Sequence, residues 1–140
     1  MNDSPKVGKS VSISKTGSRQ DVEAFAEISL DRNPVHFNEE FARATIFGKP
    51  IAHGMIGAAL ISGALTKLMG AGNIWLSTSI KFEKPIFIGD ELKCILTITE
   101  INRRGVARID VSVTRGDTER AISGTVESMN FVSGSRGGKP

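Results

Sequence analysis

Residues 54–69 (GMIGAALISGALTKLM) carry apolar side chains at fourfold spacing and almost no charge, a pattern that fits a helix packed inside other structure. Ile56, Leu60, Ala64 and Leu68 form one stripe, and Ile61 and Leu65 widen it. Gly57, Ala58, Ala59 and Gly63 are small enough to let a sheet come close to the helix axis. The glycines cost helix propensity, so the surroundings must hold the helix in place. The reading is a helix buried over most of its surface and ended by Gly70 and Gly72.

The chain beyond that helix reads as strands. Ile74, Leu76, Thr78, Ile80 and Phe82 alternate with Trp75, Ser77, Ser79 and Lys81, and Pro85 and the Gly89-Asp90 turn interrupt the pattern. Residues 92–101, 107–114 and 121–131 come next, joined through Arg103-Arg104-Gly105 and Arg115-Gly116-Asp117 by connections of hairpin length. Ahead of the helix, residues 7–16 read as a short half-buried strand. Ser18 and Asp21 have the spacing of a capping box, and Val22, Phe25, Ala26 and Ile28 give the next helix its stripe, up to Ser29. Residues 30–37 are irregular, and Asn38 caps a second, short helix. The order predicts one α+β domain over residues 1–140: an antiparallel meander curled around one long helix, with an ordered core of about 7–132 and a disordered Gly/Ser-rich tail at 133–140.

Composition narrows the partners. A net charge of +3 without a basic cluster suits a small anionic ligand and argues against nucleic acid. The one cysteine, Cys94, sits in an apolar run and reads as a buried hydrophobe in a chain that keeps to a reducing compartment. Residues 1–9 lack the apolar core of a secretory signal. Residues 51–68 are short for a membrane span and contain His53, Ser62, Thr66 and Lys67, so the expectation is a soluble cytoplasmic protein. Gly8-Lys9-Ser10 lacks the leading glycine of a phosphate-binding loop, no Gly-x-Ser-x-Gly elbow occurs, and two distant histidines with one cysteine form no closed metal set. No metal is expected.

The candidate chemistry lies in two segments. Asp31-Arg32-Asn33-Pro34-Val35-His36 places a carboxylate and an imidazole in a loop bent by Pro34, where both can converge on one water and exchange protons with it. The ordinary alternative has Asp31 capping the turn and His36 packed at the surface, and spacing alone favours it. The second segment is Ile51-Ala52-His53-Gly54-Met55. Gly54, at a helix start, offers a backbone N–H suited to an oxyanion, although a glycine there also relieves crowding between helix and sheet. His53 reads as a structural residue hydrogen-bonded at the helix start, with a second base as the alternative. Ser62 reads as a core hydroxyl, with a supporting role toward a catalytic side chain as the alternative.

Together, Asp31-x-Asn33-Pro34-x-His36 and Ile51-Ala52-His53-Gly54-Met55 resemble the signature of (R)-specific enoyl-CoA hydratases, of the MaoC-like dehydratase family with the hot dog fold. The segment Phe82…Pro85…Gly89-Asp90 is similar to that family's next strand and turn. The resemblance implies that Asp31 and His36 hold and activate the hydrating water, that the Gly54 N–H binds the thioester oxygen, and that Asn33, His53 and Ser62 support the site. It also implies an acyl-CoA substrate, no separate cofactor, and a homodimer. Two positions depart from the pattern: Leu30 stands where the family often has glycine, and Asn38 where it often has aspartate. Two rival readings are an acyl-CoA thioesterase of the same fold and a non-catalytic acyl-thioester-binding module.

Overall fold

The computed structural model describes residues 4–132; the tail expected to be disordered, 133–140, lies outside the described residues. The elements are β1 (Ser10–Thr16), α1 (Arg19–Ser29), a single 3-10 turn (Pro34–His36), α2 (Glu39–Arg43), α3 (Gly54–Met69), β2 (Asn73–Phe82), β3 (Glu91–Ile101), β4 (Ala107–Arg115) and β5 (Glu119–Asn130).

Local chemistry sets the element ends. The Asp21 N–H donates to Ser18 Oγ at 3.1 Å and the Ser18 N–H donates to Asp21 Oδ2 at 3.0 Å, closing the capping box at the start of α1. Leu30 ends α1 in the left-handed conformation, φ 65°, and its N–H donates to the Ala26 carbonyl at 2.8 Å. A leucine there costs on the order of 1 kcal/mol that a glycine would not.

All pairings in the five-stranded sheet are antiparallel, in the order β1-β3-β4-β5-β2. The expected simple meander is therefore corrected. β3, β4 and β5 do form one, but β2 crosses to the far side and pairs with β5, while β1 takes the free side of β3. The link between β2 and β3 is too long for a hairpin and makes its own contacts. The Ala121 carbonyl accepts from the Glu83 N–H at 2.7 Å, the Ala52 N–H donates to the Ile86 carbonyl at 2.7 Å, and Phe87 bridges Ile51.

The sheet packs its apolar face against α3. Ile61, Leu65 and Leu68 from the helix meet Leu96 and Ile98 of β3, Ile109 and Val113 of β4, and Ile122 and Val126 of β5, all essentially buried. A Cβ on Gly57 would lie 2.8 Å from Ile86 Cδ1 and 2.9 Å from Ile122 Cδ1, so the small residue sets how closely the helix approaches the sheet. Burial over most of the helix is not what is found: half of its sixteen residues are buried, and Met55, Ala59, Ser62, Gly63 and Thr66 face outward. One sheet covers only one side of a helix. No helix among the described residues is long and apolar enough to cross a membrane.

Gly124 of β5 is fixed by its backbone. Its φ is 150°, and a Cβ there would lie 2.1 Å from the Ser79 carbonyl oxygen of β2. Gly124→Ala is expected to destabilise the protein by about 3 kcal/mol and lower the melting temperature by roughly 10 °C, as read by calorimetry.

Candidate functional site

The loop after α1 is folded by its own side chains. Ser29 Oγ donates to the Phe25 carbonyl at 2.7 Å and accepts from the Asp31 N–H at 3.0 Å. Asp31 Oδ1 accepts from the Asn33 N–H at 3.1 Å, and Asn33 Oδ1 accepts from the Val35 N–H at 3.1 Å. Pro34 then opens the 3-10 turn with its fixed φ, and the His36 N–H donates to the Asn33 carbonyl at 3.0 Å. The chain turns back on itself. Asp31 stays exposed and His36 is buried. Asp31 does cap the turn, as the ordinary reading holds, but with one oxygen only.

His36 Nδ1 lies 2.7 Å from the Ile51 carbonyl oxygen. A carbonyl only accepts, so Nδ1 carries the hydrogen and the neutral ring keeps its lone pair on Nε2. The same logic applies to His53, whose Nε2 lies 3.0 Å from the Asp31 carbonyl oxygen. His53 is thus hydrogen-bonded at the start of α3, as expected, and its acceptor is the main chain of Asp31. The two imidazoles stack with centroids 3.8 Å apart and planes 30° apart. Ligand atoms of Asp31, His36 and His53 all lie within 4.8 Å of one another. Two hydrogen bonds of about 2.8 Å through one water span such a gap. The two histidines, distant in sequence, thus stand together beside Asp31, which corrects the expectation that they do not cluster.

Burial pushes the His36 imidazole below its ordinary value of 6.5; the Ile51 hydrogen bond opposes this, His53 adds to it, and the Asp31 carboxylate opposes it. A neutral base results. Cys94 is fully buried and its thiol is pushed up to about 12 by that burial, which makes it an inert core residue.

Gly54 opens α3, where the first N–H groups have no intrahelical acceptor and the helix dipole is positive. The crowding argument for a glycine also holds, since a Cβ would lie 2.7 Å from Phe82 Cδ1. A cavity of about 410 Å³ lies against Gly54, lined also by Ile51, Phe82, Lys84 and Ile86. A second, apolar cavity of about 200 Å³, lined by Phe25, Ile56, Leu60 and Leu92, flanks the same helix. Ile51 joins the first cavity to His36, and Phe25, 4.8 Å from the His53 ring, joins the second to His53. Each histidine thus adjoins one lining residue, although neither imidazole nor Asp31 lines either cavity.

Ser62 is the exception among the expected site residues. It lies on the outward face of α3 and is exposed, so it is not a core hydroxyl, and no hydrogen bond joins it to Asp31, His36 or His53 among the described residues. Sequence reasoning missed Lys49 and Arg115, whose charges stand 4.6 and 5.3 Å from the Phe87 ring beside Ile51. Sequence spacing gives no signal for that grouping.

Residues 2–121 match the family described as MaoC like domain. An (R)-specific enoyl-CoA hydratase of Rhodospirillum rubrum is 45% identical over 95 residues, 67% of this chain and 66% of its own, so the match spans just under two thirds of that enzyme. One from Aeromonas caviae is 41% identical over 97 residues, 69% of this chain and 72% of its own. The solved structure of an (R)-hydratase from A. caviae involved in PHA biosynthesis is similar with a TM-score of 0.85 and 34% identity, over 89% of this chain and 96% of that one. Sequence match, sheet and long helix agree: the chain belongs to the MaoC-like family and has its hot dog fold.

Proposed function

We propose that the protein is an (R)-specific enoyl-CoA hydratase that converts trans-2-enoyl-CoA reversibly to (R)-3-hydroxyacyl-CoA. The observation that carries this reading is the Asp31/His36 arrangement: a buried imidazole kept neutral and donating from Nδ1 to Ile51, beside a carboxylate one water away. The names of the relatives agree with it.

In the proposed reaction a water donates hydrogen bonds to both groups and turns its oxygen toward C3. As the C3–O bond forms, the C2=C3 electron pair moves toward the thioester oxygen, where the Gly54 N–H and the dipole of α3 stabilise the charge. The pair takes one proton from the water and returns one to C2 on the same face, which restores the site. The two groups are coupled, so the steps belong to the pair. Asn33 holds the loop. The cavity against Gly54 takes the thioester, and Lys49 and Arg115 supply positive charge for an anionic CoA. CoA is part of the substrate, and no separate cofactor takes part.

The test is hydration of crotonyl-CoA with product stereochemistry, together with an assay for free thiol. Formation of (R)-3-hydroxybutyryl-CoA is expected. Thiol release from a saturated acyl-CoA would replace this reading with the thioesterase, and binding without turnover would replace it with the non-catalytic module. Because His36 must be neutral to accept a proton, kcat/KM should fall about tenfold per pH unit below a midpoint that lies under 6.5. An acid limb centred above 6.5 would contradict a buried imidazole base.

The open surfaces point to an assembly. β2 pairs only with β5, its apolar residues Ile74, Leu76 and Phe82 are about half exposed, and α3 has an uncovered face. We take the protein to be a homodimer joined along these surfaces in the cytoplasm. Light scattering should give twice the chain mass at micromolar concentration, and a monomer mass would rule the dimer out.

A further inference from the structure

His53 is a buried titratable residue, 3% exposed, that performs no step in the hydration reaction. We propose that His53 is a positioning residue that fixes both members of the acid–base pair at once, holding the Asp31 main chain with Nε2–H and setting the plane of the His36 ring with its face. This rests on the hydratase reading for its kinetic consequences.

The Asp31 N–H bond to Ser29 Oγ anchors the loop at its α1 end, and the bonds made by Asp31 and Asn33 side chains set its shape, but none of these reaches α3. The His53 Nε2–H···O=C bond to Asp31, across 22 residues, ties that loop to the first turn of α3. His36 is pinned at Cγ by its own chain and at Nδ1 by Ile51, which leaves only small tilts of the ring plane. The stacked face of His53, 3.8 Å away, removes that freedom. Phe25 packs on His53 at 4.8 Å and Phe37 meets it edge-on at 6.2 Å, so the plate is itself held by neighbouring rings.

The other nitrogen supports the same conclusion. His53 Nδ1 is buried without a hydrogen-bond partner among the described residues. A glutamine amide could supply the same donor, its carbonyl oxygen standing unpaired in place of Nδ1. A ring uniquely adds a flat face, and His36 lies on it. Since His53 directly precedes Gly54, one residue fixes the water-binding pair relative to the oxyanion donor.

The chain has only two histidines, which makes the test direct. In His53→Gln and His53→Phe the single remaining imidazole resonance is that of His36, read by NMR titration without substrate. His53→Phe keeps a face and loses the tie to Asp31, so kcat for crotonyl-CoA should fall about 10- to 100-fold with KM within about threefold. His53→Gln keeps the donor and loses the face. Its kcat should fall less, and the His36 titration should move up by about half a pH unit as water reaches the ring, with Asp31 the remaining charged group facing it. The acid limb of kcat/KM should move the same way. Wild-type kcat in both variants with an unmoved His36 titration would overturn the proposal. So would losses of kcat that merely track a lower melting temperature. If the wild-type protein fails to hydrate enoyl-CoA, the hydratase reading falls while the NMR titration still reports on His53.

Discussion

Asp31→Asn should lower kcat for enoyl-CoA hydration by about 10²- to 10⁴-fold and leave the fold intact. The amide oxygen can still accept from the Asn33 N–H, as Asp31 Oδ1 does at 3.1 Å, so the turn survives. The side chain is exposed, so little packing is lost. An amide cannot take a proton from water near neutral pH, and its NH₂, a donor, cannot accept the hydrogen bond that the water must donate. Turnover by stopped assay, with melting temperature and circular dichroism as controls, checks this. Wild-type turnover in Asp31→Asn would refute the water site.

His36→Asn should cost a similar factor, about 10²- to 10⁴-fold, for a different reason. The Asn amide reaches the place of Nδ1 and can donate to the Ile51 carbonyl, so the anchor is kept. Nothing takes the place of Nε2, and the pair loses one of the two groups that exchange protons with the water. The acid limb set by His36 should vanish from whatever activity remains. A smaller residue beside the His53 ring leaves a gap, so a loss of about 1–2 kcal/mol in stability is expected alongside. Together the variants separate the site's chemistry from its scaffolding: both should bind substrate and both should turn it over far more slowly.

The parts of this fold that were legible in the sequence are those decided locally. The Ser18/Asp21 capping box, the Asn38 cap and the stop at Gly70 depend on a few neighbouring residues, and each forms as read. Strand order is not local. Alternation tells which face of β2 is apolar but not which strand lies beside it, and the contacts of residues 83–90 with Ala121, Ala52 and Ile51 accompany the crossing to β5. Periodicity likewise overstated the burial of α3. Ser62 stands seven residues, two turns, beyond Met55 and shares its outward face.

The site shows the same division. Five-residue spacing could not bring Asp31 and His36 together on a helix, and only the joint motif pointed to them. What converges them is a left-handed Leu30, two side-chain turns and a proline in succession. The bond from His53 to the Asp31 carbonyl was invisible, because nothing in two segments 22 residues apart announces that one holds the other's main chain.

Leu30 also governs how much order the catalytic loop loses and gains. A glycine at φ 65° would be unstrained, but it would also move readily through the mirror-image conformations open only to glycine. Leucine has fewer places to go in the unfolded chain, so less entropy is lost when the loop orders, which offsets part of the strain of holding it left-handed. The joint between α1 and the Asp31 loop is held in that setting by the bonds from the Leu30 N–H to Ala26 and from the Asp31 N–H to Ser29. Pre-organisation is the result: the carboxylate of Asp31 waits in place, and substrate binding does not have to supply the free energy to put it there.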